Sequence, residues 1–195
     1  MNDDDILVIN TESKSPTKVV EEQILPLPIL TEGNPILKTP VEEFDMSQVM
    51  QPEIQKFIKQ LKLTMKTYNG VGLSANQCGF KFRMFVIGTD QFQMTCINPR
   101  IIDVDGEPKL MREGCLSYPA LFVGVPRYEG ILVHYYDEYS QPKELWLRGI
   151  TAQCFQHELE HLDGKVFLEK VKPLAMQMAR KRQTKLIKKI VRHSK

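Results

Sequence analysis

The sequence predicts an α+β fold in which short mixed or antiparallel strands surround a central helix bearing metal-ligand side chains, with an additional helix at the carboxy end. Three observations carry that expectation. An apolar period of 3 to 4 residues runs from about Ser47 to Tyr68. Short β-branched and aromatic segments follow it without a regular helix–strand alternation. A second helical stretch, Gly149 to Leu162, with almost no solvated face, comes only after those strands.

Taken in chain order, residues 1 to about 24 are polar and acidic with no sustained period, and are expected to form an extension that is mobile or only partly docked. A catalytic unit is expected over residues 25–172, beginning near "LPLPIL", with "TEGNPILKTP" as a turn-rich entry. In the first helix Met50, Ile54, Phe57, Ile58, Leu61, Met65 and Tyr68 share a face; Ser47 is the expected cap and Asn69-Gly70 the stop. "FKFRMFVIG", "QMTCINPRII", "GILVHYYDE" and "KELWLRG" read as strands between Gly, Pro and Asp turns. In the second helix Ile150, Cys154, Phe155, His157, Leu159 and His161 leave almost no solvated face, so it should be central and buried. Residues 173–195 form the last unit, a basic helix with Ala175, Ala179, Leu186, Ile187, Ile190 and Val191 on one side and most of its cations elsewhere.

Composition narrows the class. A chain of 195 residues that is 42% hydrophobic can bury one core. No apolar run approaches the roughly 18 residues of a membrane span, and "MNDDDILVIN" has no cationic n-region, so a cytoplasmic protein is expected. Ser13, Lys14 and Ser15 leave an organellar address open. The four cysteines contain no C-x-x-C pair, which removes a redox motif or zinc ribbon and suits a reducing compartment. A monomer is expected. The net charge of +2 hides a segregation: residues 170–195 hold ten Lys or Arg and no acid, and the other 169 residues carry 16 basic and 24 acidic groups. Such a tail reads either as a contact for RNA phosphates or as a solvated amphipathic helix covering the core.

The chemistry concentrates in "QHELEHLDG", residues 156–164. Residues i and i+4 of a helix lie about 6 Å apart on one face, so His157 and His161 can reach one ion, with Glu158 beside them to serve a metal-bound water. The alternative is a charged turn whose histidines only pack or hydrogen-bond. A third ligand decides between them. The zinc-peptidase patterns seek it downstream, but Phe167 stands where the third His of one belongs, and no acidic side chain follows Glu169 for the other. Upstream, "REGCLSYP" holds Cys115 in a Gly-flanked loop 42 residues before His157. Alone it reads as core; with the two histidines it completes a set suited to Zn²⁺ or Fe²⁺. "GVGLSANQCG", residues 70–79, lacks the Lys-Ser/Thr of a phosphate loop and carries Gln77, whose amide either ties down its own loop or donates to a developing oxyanion.

Together "GVGLSANQ", "EGCLS" and "QHELEH" resemble, in order and spacing, the three motifs of the peptide deformylase family, G-x-G-L-A-A-x-Q, E-G-C-L-S and H-E-x-D-H, over about Ile24 to Lys172. The resemblance implies removal of the formyl group from N-formylmethionine of nascent polypeptides, with release of formate. It implies Cys115, His157 and His161 as ligands of one divalent ion, commonly Fe²⁺ with Zn²⁺ or Ni²⁺ also found. Glu158 would be the general base and acid, and the Gln77 side chain and Leu116 N–H the oxyanion donors. Gly72 would let an extended substrate pair with a strand edge. Val71, Cys154 and Phe155 are candidates for the methionine pocket and equally readable as core. Two departures stand out. Ser74 replaces an alanine, adding a hydroxyl that needs a partner, and Glu160 replaces the Asp of the third motif, lengthening an outer carboxylate that can pair with Arg127. Phe122 and Gly124 suggest a short apolar loop after the second motif. Family members with a long carboxy-terminal helix use it on the ribosome, which favours a ribosomal RNA contact for the basic tail. Two other readings stand beside this one. A zincin-type peptidase lacks its downstream ligand, and a structural Cys/His₂ module or binding-only relative would need neither Glu158 nor Gln77.

Overall fold

In the computed structural model, which describes residues 24–89 and 92–193, helix α1 (Pro52–Thr67) begins later than the apolar period suggests. The extension expected at the amino end lies outside these residues up to residue 23. Met46–Gln48 form a 3-10 turn capped by Asp45, whose carboxylate accepts from the Ser47 amide at 2.9 Å and hydroxyl at 2.8 Å. Pro52 then opens α1, where its missing N–H leaves no bond unmade. Ser47 is therefore capped rather than a cap. Met50 is exposed, off the buried face of Ile54, Phe57, Ile58, Leu61 and Met65. The helix stops as expected, with Asn69 at a φ of +54°.

Seven strands follow: β1 (Gly72–Ser74), β2 (Met84–Gly88), β3 (Gln93–Asp105), β4 (Lys109–Cys115), β5 (Tyr118–Arg127), β6 (Gly130–Tyr136) and β7 (Pro142–Arg148). Every pairing is antiparallel, in a five-stranded sheet of order β1-β2-β3-β6-β7 and a separate β4-β5 hairpin. Four strands coincide with the segments read from sequence. The hairpin corrects the expectation of loops there: Cys115 ends β4 at a register shift, before the turn at Leu116 and Ser117, and Phe122 and Gly124 lie within β5.

Helix α2 (Gly149–Leu162) packs against β1, β2, β6 and β7 and is buried along most of its length, as its composition predicts. Ile150 is the exception at 64% exposure. Three cores hold the fold, and this helix enters the second. One joins α1 to β1 and β2; a second places Phe85, Ile87, Ile131 and Val133 against Ala152 and Phe155; a third joins Leu121, Val123 and Val125 of β5 to Val166, Phe167 and Ala179. The expected α+β architecture, with antiparallel sheets about a central helix and an added terminal helix, is what the chain adopts.

That last helix, α3 (Pro173–His193), docks differently from the face read off its sequence. Met176, Ala179 and Gln183 turn toward the body, with the Gln183 amide donating to the Pro119 carbonyl at 2.8 Å and Arg180 pairing with Glu32. Ala175 is exposed, and Leu186, Ile187, Ile190 and Val191 are each at least 40% exposed, because the third core ends with Ala179. No helix among the described residues is long and apolar enough to cross a membrane.

Helix α2 terminates at Gly164, the residue up to which a zinc-peptidase pattern can be followed. It takes φ +68°, its N–H donates to the His161 carbonyl at 3.1 Å, and Lys165 N–H returns to the Glu160 carbonyl at 2.8 Å. A Cβ there would lie 2.6 Å from Pro40 N and 2.8 Å from Thr39 C. Gly164→Ala is expected to cost roughly 2 to 4 kcal/mol, from the left-handed backbone and the forced shift of residues 39 and 40 together. A thermal unfolding midpoint equal to that of the parent chain would contradict this.

Candidate active site

One turn of α2 sets His157 and His161 side by side, ring centroids 5.0 Å apart, and the bulged end of β4 delivers Cys115 to them. The Cys115 Sγ lies 3.2 Å from His161 Nε2, and the donor atoms of all three residues fall within 4.8 Å of one another. His157 Nδ1 is engaged at 2.9 Å by the Glu113 carboxylate, which leaves its Nε2 for the shared centre. One sulfur and two imidazole nitrogens, converging from three directions and open on the cavity side, fit a divalent Fe, Zn or Ni ion with a coordination position to spare.

Glu158 sits beside this set, 4% exposed, and its Oε2 has no hydrogen-bond partner. Burial pushes its carboxyl up to about 7, against the opposing influence of His157 and the Ser74 hydroxyl. Space for it comes from Gly72, since a Cβ at that position would fall on Glu158 Oε1. Gly72 also opens β1, an edge strand of the larger sheet that lines the cavity.

Gln77 belongs to a 3-10 turn, Ala75–Cys78, locked as a capping box. The Ser74 N–H and hydroxyl both donate to Gln77 Oε1 at 2.9 Å, so the amide nitrogen is turned toward Ser117 Oγ at 3.1 Å and Cys115 Sγ at 3.4 Å. The hydroxyl that Ser74 adds thus has its partner. Asn76, in the same turn, donates to the His161 carbonyl at 2.5 Å and ties this segment to the end of α2.

Behind the histidines lies a buried charge group. Arg127 donates to Glu113 through Nε at 2.6 Å and Nη2 at 3.0 Å, and to Glu160 through Nη1 at 2.5 Å and Nη2 at 2.8 Å. Lys170 closes on Glu160 from the exposed side. Burial works against the Glu113 anion, but hydrogen bonds from His157 and Arg127 outweigh it and hold the carboxyl down to about 2. Glu160 is likewise held below the ordinary carboxylate value, by Arg127 and Lys170 against burial. Glu113 is the residue that sequence reasoning missed. Its signal was present, as the first letter of "EGCLS", but nothing in the sequence shows which imidazole it meets.

The cavity in front of the centre has a volume of about 490 Å³. Val71, Gly72, Gln77, Cys115, Leu116, Cys154, His157 and Glu158 border it, while His161 lies deeper at 1% exposure. Burial pushes the Cys154 thiol up to about 12, so it presents a neutral, weakly polar wall. Phe155 does not reach the cavity: it is fully buried, edge-on to Phe85 at 5.0 Å, on another face of α2. Ile150 and Phe122, neither assigned to the pocket from sequence, border it instead.

A family model described as polypeptide deformylase matches residues 26–177. The chain belongs to the polypeptide deformylase family. It is 38% identical over 167 residues to peptide deformylase 2 of Xanthomonas campestris pv. campestris, covering 84% of this chain and 98% of that one. Among solved structures, the peptide deformylase of Synechococcus elongatus in complex with actinonin superimposes with a TM-score of 0.76 at 30% identity, covering 94% of this chain and 95% of that one. The Met-Ala-Ser-bound class I type b peptide deformylase of Acinetobacter baumannii gives 0.72 at 26% identity, covering 76% and 100%. As an enzyme of this family the chain carries its metal-type donor group where the three deformylase motifs meet.

Removing the guanidinium tests the charge group. Arg127→Met leaves the buried Glu113 carboxylate without its guanidinium and Glu160 with Lys170 alone, and is expected to cost about 3 to 5 kcal/mol. Because the Glu113 carboxyl is depressed in the folded chain, its contribution is complete above its ordinary value of 4.5 and is lost as pH falls from there toward about 2. Thermal melts between pH 2 and 7 should show that slope in the parent chain and a weaker one in Arg127→Met; superimposable slopes would argue against the pairing.

Proposed function

We propose that this enzyme removes the N-formyl group from N-formylmethionine at the start of nascent polypeptides, releasing formate and a free amino terminus. The observation that carries the reading is Glu158, a buried carboxylate with one unpartnered oxygen set directly beside a converging Cys115, His157 and His161 group at the floor of an open cavity. A purely structural metal module has no use for such a carboxylate. The solved relative with bound Met-Ala-Ser supports a peptide beginning with methionine as the ligand.

Cys115, His157 and His161 would hold one divalent cation, Fe²⁺ by family resemblance, with Zn²⁺ or Ni²⁺ competent. Bound there, the ion supplies Lewis acidity to the formyl carbonyl and to the attacking water. Glu158 takes the proton from that water and passes it to the leaving amine nitrogen; a carboxyl pushed up to about 7 can both accept and return a proton near neutrality. The Gln77 amide, aimed by Ser74, and the Leu116 N–H donate to the oxyanion as the formyl carbon becomes tetrahedral. Val71 and Cys154, with Ile150 and Phe122, form the apolar surface for the methionine side chain and the residues after it. The open edge of β1 at Gly72 supports pairing with an extended peptide backbone. Arg127 and Glu160 act through Glu113, which orients His157. Residues 25–172 are taken as the catalytic unit of a cytoplasmic monomer.

A formate-release assay on formyl-Met-Ala-Ser with anaerobically Fe²⁺-loaded protein tests the reading, and full metal occupancy without formate would overturn it. Glu158→Ala should lower turnover at least about 100-fold, the scale of a lost general acid–base group, while the metal content of the purified protein stays at the parent level.

The basic helix is proposed to contact ribosomal RNA. Its first turns are engaged with β5, whereas Lys185, Lys188 and Arg192 lie on the exposed part together with the apolar side chains at 186 and 187. Truncation after Gln183 keeps the docked half. It is expected to abolish salt-sensitive co-sedimentation with ribosomes while sparing formate release from short peptides; co-sedimentation that survives the truncation would count against the contact.

A further inference from the structure

The β4-β5 hairpin presents to solvent a face built from Leu110, Arg112, Gly114, Phe122 and Gly124. Two glycines make it flat. A Cβ at Gly114 would lie 2.6 Å from the Phe122 ring, and one at Gly124 would lie 3.0 Å from the Leu110 side chain, so each exposed apolar group rests directly on backbone. Between them the Arg112 guanidinium stacks over the Phe122 ring, 4.9 Å from its centroid. Both Arg112 and Phe122 border the cavity that holds Glu158 and Cys115.

Arg112 is the sole Lys or Arg among the described residues bordering that cavity. Two acids also border the cavity, but the Glu113 carboxylate is engaged by Arg127 and His157 and Glu158 is buried, and neither pairs with Arg112. Arg112 is exposed and makes no ion pair with any described residue. Its charge is therefore unneutralised in the cavity wall, and its planar head is pre-ordered by the ring beneath it, which reduces the entropy lost when a carboxylate is bound. The Gln153 amide donates to the Arg112 carbonyl at 3.0 Å and fixes the strand carrying it to α2.

We infer that the Arg112–Phe122 shelf is a specificity subsite that favours formylated chains carrying an Asp or Glu side chain within the first residues after methionine. The inference rests on the deformylase reading above. An acidic group could reach the guanidinium either as a side chain or as the free carboxy terminus of a short peptide, and only the side chain exists on a growing polypeptide. Carboxy-amidated substrates separate the two.

The test compares kcat/KM for the amides of formyl-Met-Ala-Glu, formyl-Met-Ala-Gln and formyl-Met-Ala-Lys, and of the series with the variable residue directly after methionine. In the metal-loaded parent enzyme the Glu peptide should lead the Gln peptide by roughly two- to fivefold in at least one series, the scale of an exposed ion pair. The margin should sit in KM and shrink as salt rises through about 0.1 M and beyond. Arg112→Gln should bring the Glu-to-Gln ratio to about one, and Arg112→Glu should invert it in favour of the Lys peptide. Inversion is a gain that a misfolded variant does not produce. A parent enzyme that releases formate from all peptides at one rate, or ratios that survive Arg112→Glu, would overturn the subsite while leaving the deformylase reading standing. Discrimination only among peptides with a free carboxy terminus would overturn it as well. No formate from any peptide would instead strike the underlying activity.

Discussion

A guanidinium with 1% of its surface exposed, that of Arg127, lies between the carboxylates of Glu113 on β4 and Glu160 on α2, and a charge so far from water persists only where fixed partners replace its hydration. The group it forms is also the mechanical link between the hairpin that brings Cys115 and the helix that brings both histidines. Glu113 spends one oxygen on Arg127 Nε and the other on both Arg127 Nη2 and His157 Nδ1, so the imidazole cannot rotate without breaking a charged hydrogen bond. Glu160 explains itself in the same geometry. The longer side chain allows a two-point contact with Arg127 while still reaching Lys170 at the start of the chain leading to α3. Glu160 thus pairs with Arg127 on the inside and with a lysine from outside.

The side chains of the candidate site come from three segments that local structure keeps separate, and each is held by a device suited to its length. α2 is long enough to be fixed by burial on most of its circumference. The 3-10 turn at Ala75–Cys78 is too short for that and is held by hydrogen bonds: its capping box, the Asn76 bond to the His161 carbonyl, and the Gln77 carbonyl that accepts from Leu30 N–H at 2.7 Å. The hairpin is fixed by the third core on one face and by Arg127, so its other face is free to border the cavity. A ligand set assembled in this way forms only when the layers have docked, since no single segment contains it.

The ligand residues are legible in the sequence because helical spacing makes His157 and His161 neighbours before any tertiary contact exists, and the absence of a downstream ligand directs attention to Cys115. The strands β4 and β5 are much less legible. β5 keeps Leu121, Val123 and Val125 inward, but the inward face of the pair also carries Glu113 and Arg127 and its outward face Leu110 and Phe122, which blurs the usual alternation, and Gly114, Gly124, Pro119 and Pro126 read as punctuation. The inward charges are paired in the core and the outward Phe122 borders a cavity, facts that a one-dimensional pattern does not contain. Phe155 fails for a related reason. Next to Cys154 in sequence, it lies about 100° further around the helix and packs on Phe85 and Tyr135, whereas Cys154 reaches both the second core and the cavity wall. The apolar stripe of α3 anticipates a core contact for Leu186 to Val191, but docking follows the register set by Ala179 and Gln183.

Five buried side-chain polar atoms among the described residues have no hydrogen-bond partner, and three of them belong to Asn76, Glu158 and His161. Such atoms are few in a folded chain, so their gathering at one place needs a cause. The two histidines differ instructively: His157 has its outer nitrogen fixed by Glu113, whereas His161 has an unpartnered Nδ1 and is oriented by packing at 1% exposure, with Asn76 holding the backbone behind it. Glu158 is the more costly to bury, since burial raises its carboxyl to about 7 and Gly72 is what makes room for it against β1. A sequence selected for stability alone would fill that space with a larger residue at 72 and an apolar one at 158. The surrounding cores supply the rigidity that keeps the unsatisfied group in place, and the same burial that destabilises the Glu158 anion raises its carboxyl to about 7.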